Sequence, residues 1–537
     1  MSDPADLTPW PADLVDRYVA EGYWGAATLD EEFRGWAARF AGRTALVVGE
    51  RRLTYAELDE AAERTARGLR ALGIAAGERA VVQLPNSADV VIVLLGMLRA
   101  GIVPVLTLPA HRRNEIEHLV RLSGAVAYVA PDVHEGFDHR ELAAEISAVC
   151  PSLRHVLLTG DPGPFTALAD LPEGEPVTGR ADPAGIAVLL VSGGTTGRPK
   201  LIPRTHRDYT YNALASAAVC GLSEEDVYLA CLPAAHNFPL ACPGLLGTFS
   251  VGGTVVLAPA GSADVAFGLI QAERVTVTAL VPPLVRFWLE AAEWDTRDLS
   301  SLRLLQVGGA RLDPETAARV RPGLGCALQQ VFGMAEGLLN YTRLDDPHEI
   351  VVSTQGRPLS PADEIRVTGQ DGADVAPGEV GELWTRGPYT LRGYYRAPEH
   401  NRIVVTEDGW FRTGDLVRVL PSGHLAVEGR VKDVINRGGE NVSATELEEH
   451  LLAHPAIAHA AVVAVPDLTL GEIACAVVTL TPNAGRAPKL KELKAFLAGR
   501  GLARFMHPDR LVVADALPVT AVGKIDKKEI AARIGSP

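Results

Sequence analysis

Apolar residues along the chain come in short runs separated by segments with helical spacing. RAVVQLPN is followed by a helical pattern from Ser87 to Ala100 and then by GIVPVLTLP; AVAYVAP, HVLLTG and IAVLLVSGG continue the series. Short apolar runs alternating with helices predict parallel strands covered on both faces. A second set, from DVYLACLP through GGTVVLAP, VTVTALVPP and LRLLQVGGA, repeats the theme and predicts a second sheet. Between Gly356 and Val427 the texture changes to EIRVTGQDG, GELWTRGP and HLAVEGR, alternating segments cut by Gly and Pro turns. That pattern predicts a small antiparallel or barrel-like subdomain.

After VKDVINRGGE the pattern restarts. A helix over Ala444 to Leu452, the strands AHAAVVAVPD and ACAVVTLT, a helix over Leu490 to Gly499 and the strand RLVVADALP describe a compact α+β unit. The expected architecture is therefore α/β. A large N-terminal domain over 1–431 contains two parallel-type sheets with helices and the barrel-like subdomain, and a small mobile α+β domain covers 432–537. The short joint near Lys432 reads as a hinge.

Composition narrows the function classes. At 537 residues with 47% apolar content the chain can bury more than one core. A formal charge of -15 disfavours a nucleic-acid partner, which would call for a basic face. The six cysteines form no C-x-x-C pair, so neither a zinc site nor a disulfide framework is expected. The acidic start MSDPADLTPWPADLVDRY has no signal pattern, and the apolar run near Val90 to Leu98 is too short to span a bilayer. A cytoplasmic protein without a membrane partner is the expectation.

The segment Ser192-Gly193-Gly194-Thr195-Thr196-Gly197-Arg198-Pro199-Lys200 follows the strand IAVLLV. Its glycines permit a tight turn that exposes amides and hydroxyls, a cradle for phosphates, although Gly, Thr and Pro also fill ordinary solvated loops. It is no Walker loop, because Gly-Lys-Ser/Thr is missing. Four further segments accompany it: QQVFGMAEG (Gln329 to Gly337), FRTGD (Phe411 to Asp415), GRVKDVINRGGE (Gly429 to Glu440) and VGKIDKK (Val522 to Lys528).

This ordered set resembles the adenylate-forming superfamily of acyl-CoA ligases, luciferases and peptide-synthetase adenylation domains, over nearly the whole chain. AAHNFPLACPG (Ala234 to Gly244) and FGMAEGLLNYTRLDD (Phe332 to Asp346) look like its stand-alone aryl-acid AMP ligases, which activate salicylate or 2,3-dihydroxybenzoate for siderophores and related peptide products. The resemblance implies ATP and Mg²⁺ as cofactors. An ionised carboxylate would attack the α-phosphorus and expel pyrophosphate, a reaction that needs alignment and charge neutralisation rather than a general base.

Carried over residue by residue, the resemblance assigns Lys524 as the lysine bridging carboxylate and α-phosphate, with His236 beside the carboxylate and Lys432 as the hinge. The nucleotide would be held by Ser192, Gly193, Gly194, Thr195, Thr196 and Lys200, by Gly309, Ala310 and Arg311, and by Val331, Phe332, Gly333, Met334, Ala335 and Glu336. Asp415 would accept the ribose hydroxyls, Arg430 would lie near ribose or phosphate, and Glu336 would help hold Mg²⁺. The aryl acid would lie among His236, Asn237, Phe238, Cys242, Gly308, Gly309, Val331, Gly337 and Leu339.

Three positions depart from the 2,3-dihydroxybenzoate pattern. Cys242 stands where such relatives typically carry serine, Leu339 where they carry valine, and Phe238 where tyrosine is common. Less polarity and more bulk favour salicylate over a ring hydroxylated at position 3, with 2,3-dihydroxybenzoate and 3-hydroxyanthranilate as alternatives. The chain carries no carrier domain after Lys524, so the acceptor is expected in trans: the pantetheine thiol of an aryl carrier protein, or free coenzyme A. A nucleotide-binding module without turnover is disfavoured by the intact Lys524, Asp415, Glu336 and Thr195, and nothing here suggests a luciferase.

Overall fold

The computed structural model describes residues 8–192, 199–369, 371–437, 440–467, 470–482, 484–500, 502, 506–520 and 523–535. The first series of apolar runs forms a seven-stranded sheet. Its order is Leu201–Thr205, Ile186–Val191, Val103–Leu106, Arg79–Val82, Ala127–Pro131, His155–Thr159 and Thr166–Ala167. All neighbours are parallel except the outer hairpin of Ile186–Val191 and Leu201–Thr205.

The second series forms a nine-stranded sheet. Its order is Arg357–Pro358, Leu339–Tyr341, Ala327–Gly333, Leu304–Gly308, Val277–Leu280, Val227–Ala230, Thr254–Leu257, Thr44–Val48 and Arg51–Thr54. The middle pairs are parallel, and both ends finish in antiparallel pairs. The two strands over 44–54 lie outside both predicted series: Arg51–Thr54 is a mostly polar edge strand, whereas Thr44–Val48 is a short apolar run like the others.

One apolar cluster joins the two sheets, with Ala80, Val82 and Leu106 from the first and Leu46, Tyr228 and Val255 from the second. The helix Ala88–Ala100 lies in this cluster with twelve of its thirteen residues buried, which explains why its sequence lacks a polar face. Gly96 sets its approach to the helix Tyr55–Ala71, since a Cβ there would stand 2.8 Å from Cβ of Thr65. Just ahead of this helix, Asn86 pins the sheets together. Its amide nitrogen donates to the carbonyls of Ala230, Leu232 and Ala258 at 3.0–3.2 Å, and its Oδ1 accepts from the Ala234 amide at 2.7 Å.

The segment expected to be barrel-like is a four-stranded antiparallel sheet, Glu364–Thr368, Val380–Arg386, Phe411–Val419 and Leu425–Arg430, in linear order. Its strands pair only with their chain neighbours, so it is an open meander and not a closed barrel among the described residues. The helices Ala444–Leu452 and Leu490–Gly499 occur where the pattern placed them, beside a five-stranded sheet in which Ile457–Asp467, an edge strand, and Gly471–Leu480 form the longest pair. That sheet also contains the hairpin Val434–Arg437 and Glu440–Ser443, which the sequence reading did not separate from the joint. No helix among the described residues is long and apolar enough to cross a membrane.

A buried ion pair links the first sheet to the functional cleft. Arg204 is 1% exposed; its Nε donates to Asp208 Oδ1 at 2.7 Å and one terminal nitrogen donates to the Ala335 carbonyl at 3.0 Å. Asp208 also closes the N-terminal turn of the helix His206–Val219, accepting from the amide and hydroxyl of Thr205. Asp208→Asn leaves the Arg204 charge uncompensated and is expected to cost about 3–5 kcal/mol, whereas Arg204→Met with Asp208→Leu recovers much of the loss. The melting temperatures of the two proteins check this, the single substitution being the less stable.

Candidate active site

The C-terminal ends of the central strands in the nine-stranded sheet face the four-stranded sheet and the C-terminal unit, and most of the assigned residues converge there. Ser192 and Lys200 close the base of the glycine-rich loop: the Ser192 amide donates to the Lys200 carbonyl at 2.9 Å, and the Lys200 amide donates to Ser192 Oγ at 3.0 Å. Gly193, Gly194, Thr195 and Thr196 lie outside the described residues. The Lys200 ammonium sits 5.6 Å from the centre of the Tyr394 ring, and Tyr394 Oη donates to Glu336 Oε1 at 2.7 Å. Tyr394 thus connects the loop lysine to the carboxylate assigned to Mg²⁺. The motifs did not single it out, although GPYTLRGYY, an aromatic-rich turn directly after a strand, carries a visible signal.

Glu336 stands at a sharp turn between Ala327–Gly333 and Leu339–Tyr341, in which the Gly337 amide donates to the Met334 carbonyl at 3.1 Å. Gly337 has φ +108, and a Cβ on it would come within 2.4 Å of Thr390 Cα and the Tyr389 carbonyl, so this position requires glycine. Gly333 pairs with Leu339 across the hairpin; a Cβ there would lie 2.3 Å from the Leu339 side chain. Among the described residues no group of three or more His, Cys, Asp or Glu could hold a metal ion. A lone carboxylate suits Mg²⁺ that takes its other ligands from phosphate and water, so Glu336 fits the cation assigned to it.

Asp415 and Arg430 face each other across the antiparallel pair Phe411–Val419 and Leu425–Arg430, with Arg430 Nε donating to Asp415 Oδ1 at 2.8 Å. Burial holds the Asp415 carboxyl above its ordinary range, against the pull of the Arg430 guanidinium. Lys524 reaches the same place from the C-terminal unit. Its turn is closed by Thr520, whose amide donates to the Lys524 carbonyl at 2.6 Å and whose Oγ1 accepts from the Lys524 amide at 3.2 Å. A Cβ on Gly309, at φ +82, would meet Lys524 Cε at 3.1 Å, so the lysine stem lies on that glycine. Burial lowers the Lys524 pKa to about 8, Arg430 adds to the drop, and Asp415 and Glu336 oppose it.

His236 caps the short helix Asn237–Ala241, its Nδ1 accepting from the Phe238 amide at 3.2 Å. Burial, reinforced by Lys524, lowers its pKa to about 3, so the ring is neutral and the proton is on Nε2, free to donate into the cleft. Behind it Phe238, Cys242, Val331 and Leu339, assigned to the acid site, are buried in the main apolar cluster. Gly308 makes room for the Phe238 ring, since a Cβ there would be 3.1 Å from its edge carbons. Asn237 is more committed than the motif implies: Oδ1 accepts from Tyr209 Oη at 2.9 Å and Nδ2 donates to Cys242 Sγ at 3.4 Å, which leaves its second N–H for a ligand. Burial pushes the Cys242 thiol up to about 12, so it stays a neutral pocket wall.

Two assigned residues point elsewhere. Arg311 donates to the Val427 carbonyl at 2.7 Å and pairs with Glu449 at 3.1 Å and Glu428 at 3.6 Å, bracing the contact with the C-terminal unit. Phe332 packs on the small cluster of Leu338, Leu383, Val417 and Leu425, on the opposite face of its strand from Val331. Lys432 occupies the short 3-10 turn Val431–Asp433 that joins Leu425–Arg430 to Val434–Arg437.

The paired Asp415 and Arg430, Glu336 and Gly309 all lie close to one buried lysine, Lys524, an arrangement that fits an adenylate-forming enzyme. AMP-binding enzymes match residues 33–395, and the AMP-binding enzyme C-terminal domain matches residues 446–524; the chain belongs to this family. It is 52% identical to the salicyl-AMP ligase / salicyl-S-ArCP synthetase of Mycobacterium tuberculosis, over 98% of this chain and 94% of that protein. It is 50% identical to the 2,3-dihydroxybenzoate-AMP ligase of Bacillus subtilis, over 98% of this chain and 97% of that one. The apo structure of Mycobacterium smegmatis MbtA superposes with a TM-score of 0.78 at 51% identity, over 98% of this chain and 99% of that chain.

The two shifted pKa values set the sign of a pH response. The Lys524 ammonium is present below about pH 8 and is lost as pH rises through that value, while neutral His236 titrates only near 3. The kcat/KM of acid-dependent ATP–pyrophosphate exchange, which reports the free enzyme, is expected to fall above about pH 8 with no limb from His236 between pH 5 and 8. In Lys524→Arg the alkaline limb is expected to disappear from whatever activity remains.

Proposed function

We propose that this enzyme activates an aromatic ortho-hydroxy carboxylic acid, salicylate by preference, to the aryl-adenylate and then transfers the aryl group to the pantetheine thiol of a carrier protein in trans. The observation that carries the reading is the buried apolar cluster that contains Phe238, Cys242, Val331 and Leu339, with neutral His236 close to Phe238 in the chain and Lys524 lying over Gly309. The pocket is apolar enough for an aromatic ring, and the groups at its mouth are donors that suit a carboxylate.

In the first half-reaction an oxygen of the acid forms a bond to the α-phosphorus of ATP while the bond from that phosphorus to the bridging oxygen breaks, and pyrophosphate leaves. The attacking carboxylate is already ionised, so the protein supplies alignment and positive charge. Lys524 would bridge carboxylate and α-phosphate, and His236 Nε2–H would donate to an oxygen at the same centre. Asp415 would hold the ribose, with Arg430 orienting its carboxylate through the 2.8 Å bond. Mg²⁺ bound at Glu336 would neutralise phosphate charge, and Tyr394 fixes the orientation of that carboxylate.

In the second half-reaction the thiol sulfur bonds to the acyl carbon, its proton is released and AMP departs. A core over 1–431 and a lid over 432–537, turning about Lys432, would withdraw Lys524 and admit the thiol. A carrier protein is supported by the Mycobacterium tuberculosis relative, whose name includes salicyl-S-ArCP synthetase. Free coenzyme A is the second reading, favoured by a 49% identical Streptomyces relative named salicylyl-CoA synthase / salicylate adenylyltransferase.

The preference for salicylate rests on the side of the pocket formed by Cys242 and Leu339. The Cys242 sulfur is a weak acceptor already in contact with Asn237, and Leu339 is 2% exposed, so a 3-hydroxyl would meet bulk without a strong partner. Exclusion by such a pocket is limited to about 100-fold.

ATP–pyrophosphate exchange across salicylate, 2,3-dihydroxybenzoate, 3-hydroxyanthranilate, benzoate and a fatty acid tests the substrate class, with salicylate expected to lead in kcat/KM. A leading fatty acid would remove the aryl reading. Cys242→Ser with Leu339→Val is expected to move the salicylate to 2,3-dihydroxybenzoate ratio about tenfold toward the latter. Lys524→Ala is expected to lower exchange by about 100-fold to 1,000-fold while ATP binding, measured by calorimetry, changes little.

A further inference from the structure

Behind the turn that carries Glu336 and Leu339 lies a buried pair that the adenylation chemistry does not use. Tyr389 is fully buried; its Oη accepts from the Leu339 amide at 3.0 Å and donates to Asp363 Oδ2 at 2.6 Å. A backbone N–H can only donate, so the phenolic proton is committed to Asp363. The same carboxylate oxygen accepts from the Ser360 amide at 3.0 Å, and Ser360 Oγ accepts from Tyr211 Oη at 2.7 Å. Asp363 Oδ1 is buried without a donor among the described residues, and a Cβ on Gly387 would stand 2.2 Å from it, which closes the space around it. Burial pushes the Asp363 carboxyl up to about 7 and the Tyr389 phenol far above its ordinary value.

The backbone next to Tyr389 grips the same turn from its other end. The Leu391 amide donates to the Glu336 carbonyl at 2.6 Å, and the Gly337 backbone fits directly against Tyr389 and Thr390. Leu338, between Gly337 and Leu339, has φ 61, a conformation that a leucine holds only under outside restraint. The segment 387–391 therefore restrains the Glu336 end of the turn through its backbone and the Leu339 end through one side chain.

We propose that Tyr389 and Asp363 are positioning residues for the acid pocket: the hydrogen-bond relay from Asp363 through Tyr389 to the Leu339 amide sets how far the Leu339 side chain enters the pocket, and so which aromatic acid fits. The relay acts through Leu339 and touches no reacting atom. It rests on the reading that Leu339 lines the acid pocket.

Tyr389→Phe keeps the ring and removes both hydrogen bonds. Steady-state exchange is expected to show the acid KM raised about tenfold with the ATP KM within about twofold, and a narrower kcat/KM ratio between salicylate and 2,3-dihydroxybenzoate. Asp363→Asn, which keeps an acceptor for Tyr389, is expected to fall between wild type and Tyr389→Phe, and it provides the test should Tyr389→Phe fail to fold. Acid and ATP parameters moving together, or an unchanged acid KM and acid ratio, would overturn the relay. The wild-type acid panel separates the two ideas: if the wild type activates no aromatic acid, the proposed function fails, and the relay is judged by the same KM split and by the ratio between the two best acids that the wild type does use.

Discussion

The positive charge of Lys524, held out of bulk water where the C-terminal unit meets the core, is the constraint on which the site depends. Desolvating an ammonium is costly, and burial is the main cause that lowers its pKa to about 8. Two carboxylates, Asp415 and Glu336, offset it in part, while Arg430 works against it. His236 adds no further cation: burial, reinforced by Lys524, keeps it neutral, with Nδ1 occupied by the Phe238 amide. Lys524 and Arg430 thus face Asp415 and Glu336, and a ligand that brings further negative charge, as a triphosphate and a carboxylate do, would favour the protonated lysine.

Around that charge the protein holds its recognition surfaces by polar anchors placed one layer back. Arg204 ties the seven-stranded sheet to the Ala335 carbonyl, Asn86 ties it to the strand ends of the nine-stranded sheet, and Tyr209 holds the Asn237 amide. Tyr394 aims Glu336 and Tyr389 fixes the Leu339 backbone. Each anchor is buried or nearly so, where a satisfied hydrogen bond is directional and a broken one leaves a desolvated group unpaired. In the proposed function the nucleotide and the acid would share one turn, residues 333–339, and a shift in that turn would be felt by both substrates at once.

Much of this was legible in the chain. The two sheets followed from short apolar runs between helical segments, because strands buried on both faces need continuous apolar residues and the helix Ala88–Ala100 needs them all round. The helices Ala444–Leu452 and Leu490–Gly499 came from periodicity alone. Polar edge strands such as Arg51–Thr54 and the hairpin at the joint carry no such signature, and the meander over 364–430 has the same alternation as a barrel, so only the pairing of its strands distinguishes the two.

For the site, the chain by itself determined which residue types stand in the motifs: the lysine, the carboxylates, the glycines that φ +82 and φ +108 demand, and the Cys242 and Leu339 departures that bear on specificity. The tertiary structure decided how those groups are used. It turned Arg311 toward Glu449, faced Phe332 away from Val331, spent one Asn237 N–H on Cys242, and brought Tyr209, Tyr389 and Tyr394 behind the pocket. The physical reason is that a motif specifies chemistry along the chain, whereas the direction of a side chain, its desolvation and its hydrogen-bond partner are set by neighbours distant in sequence.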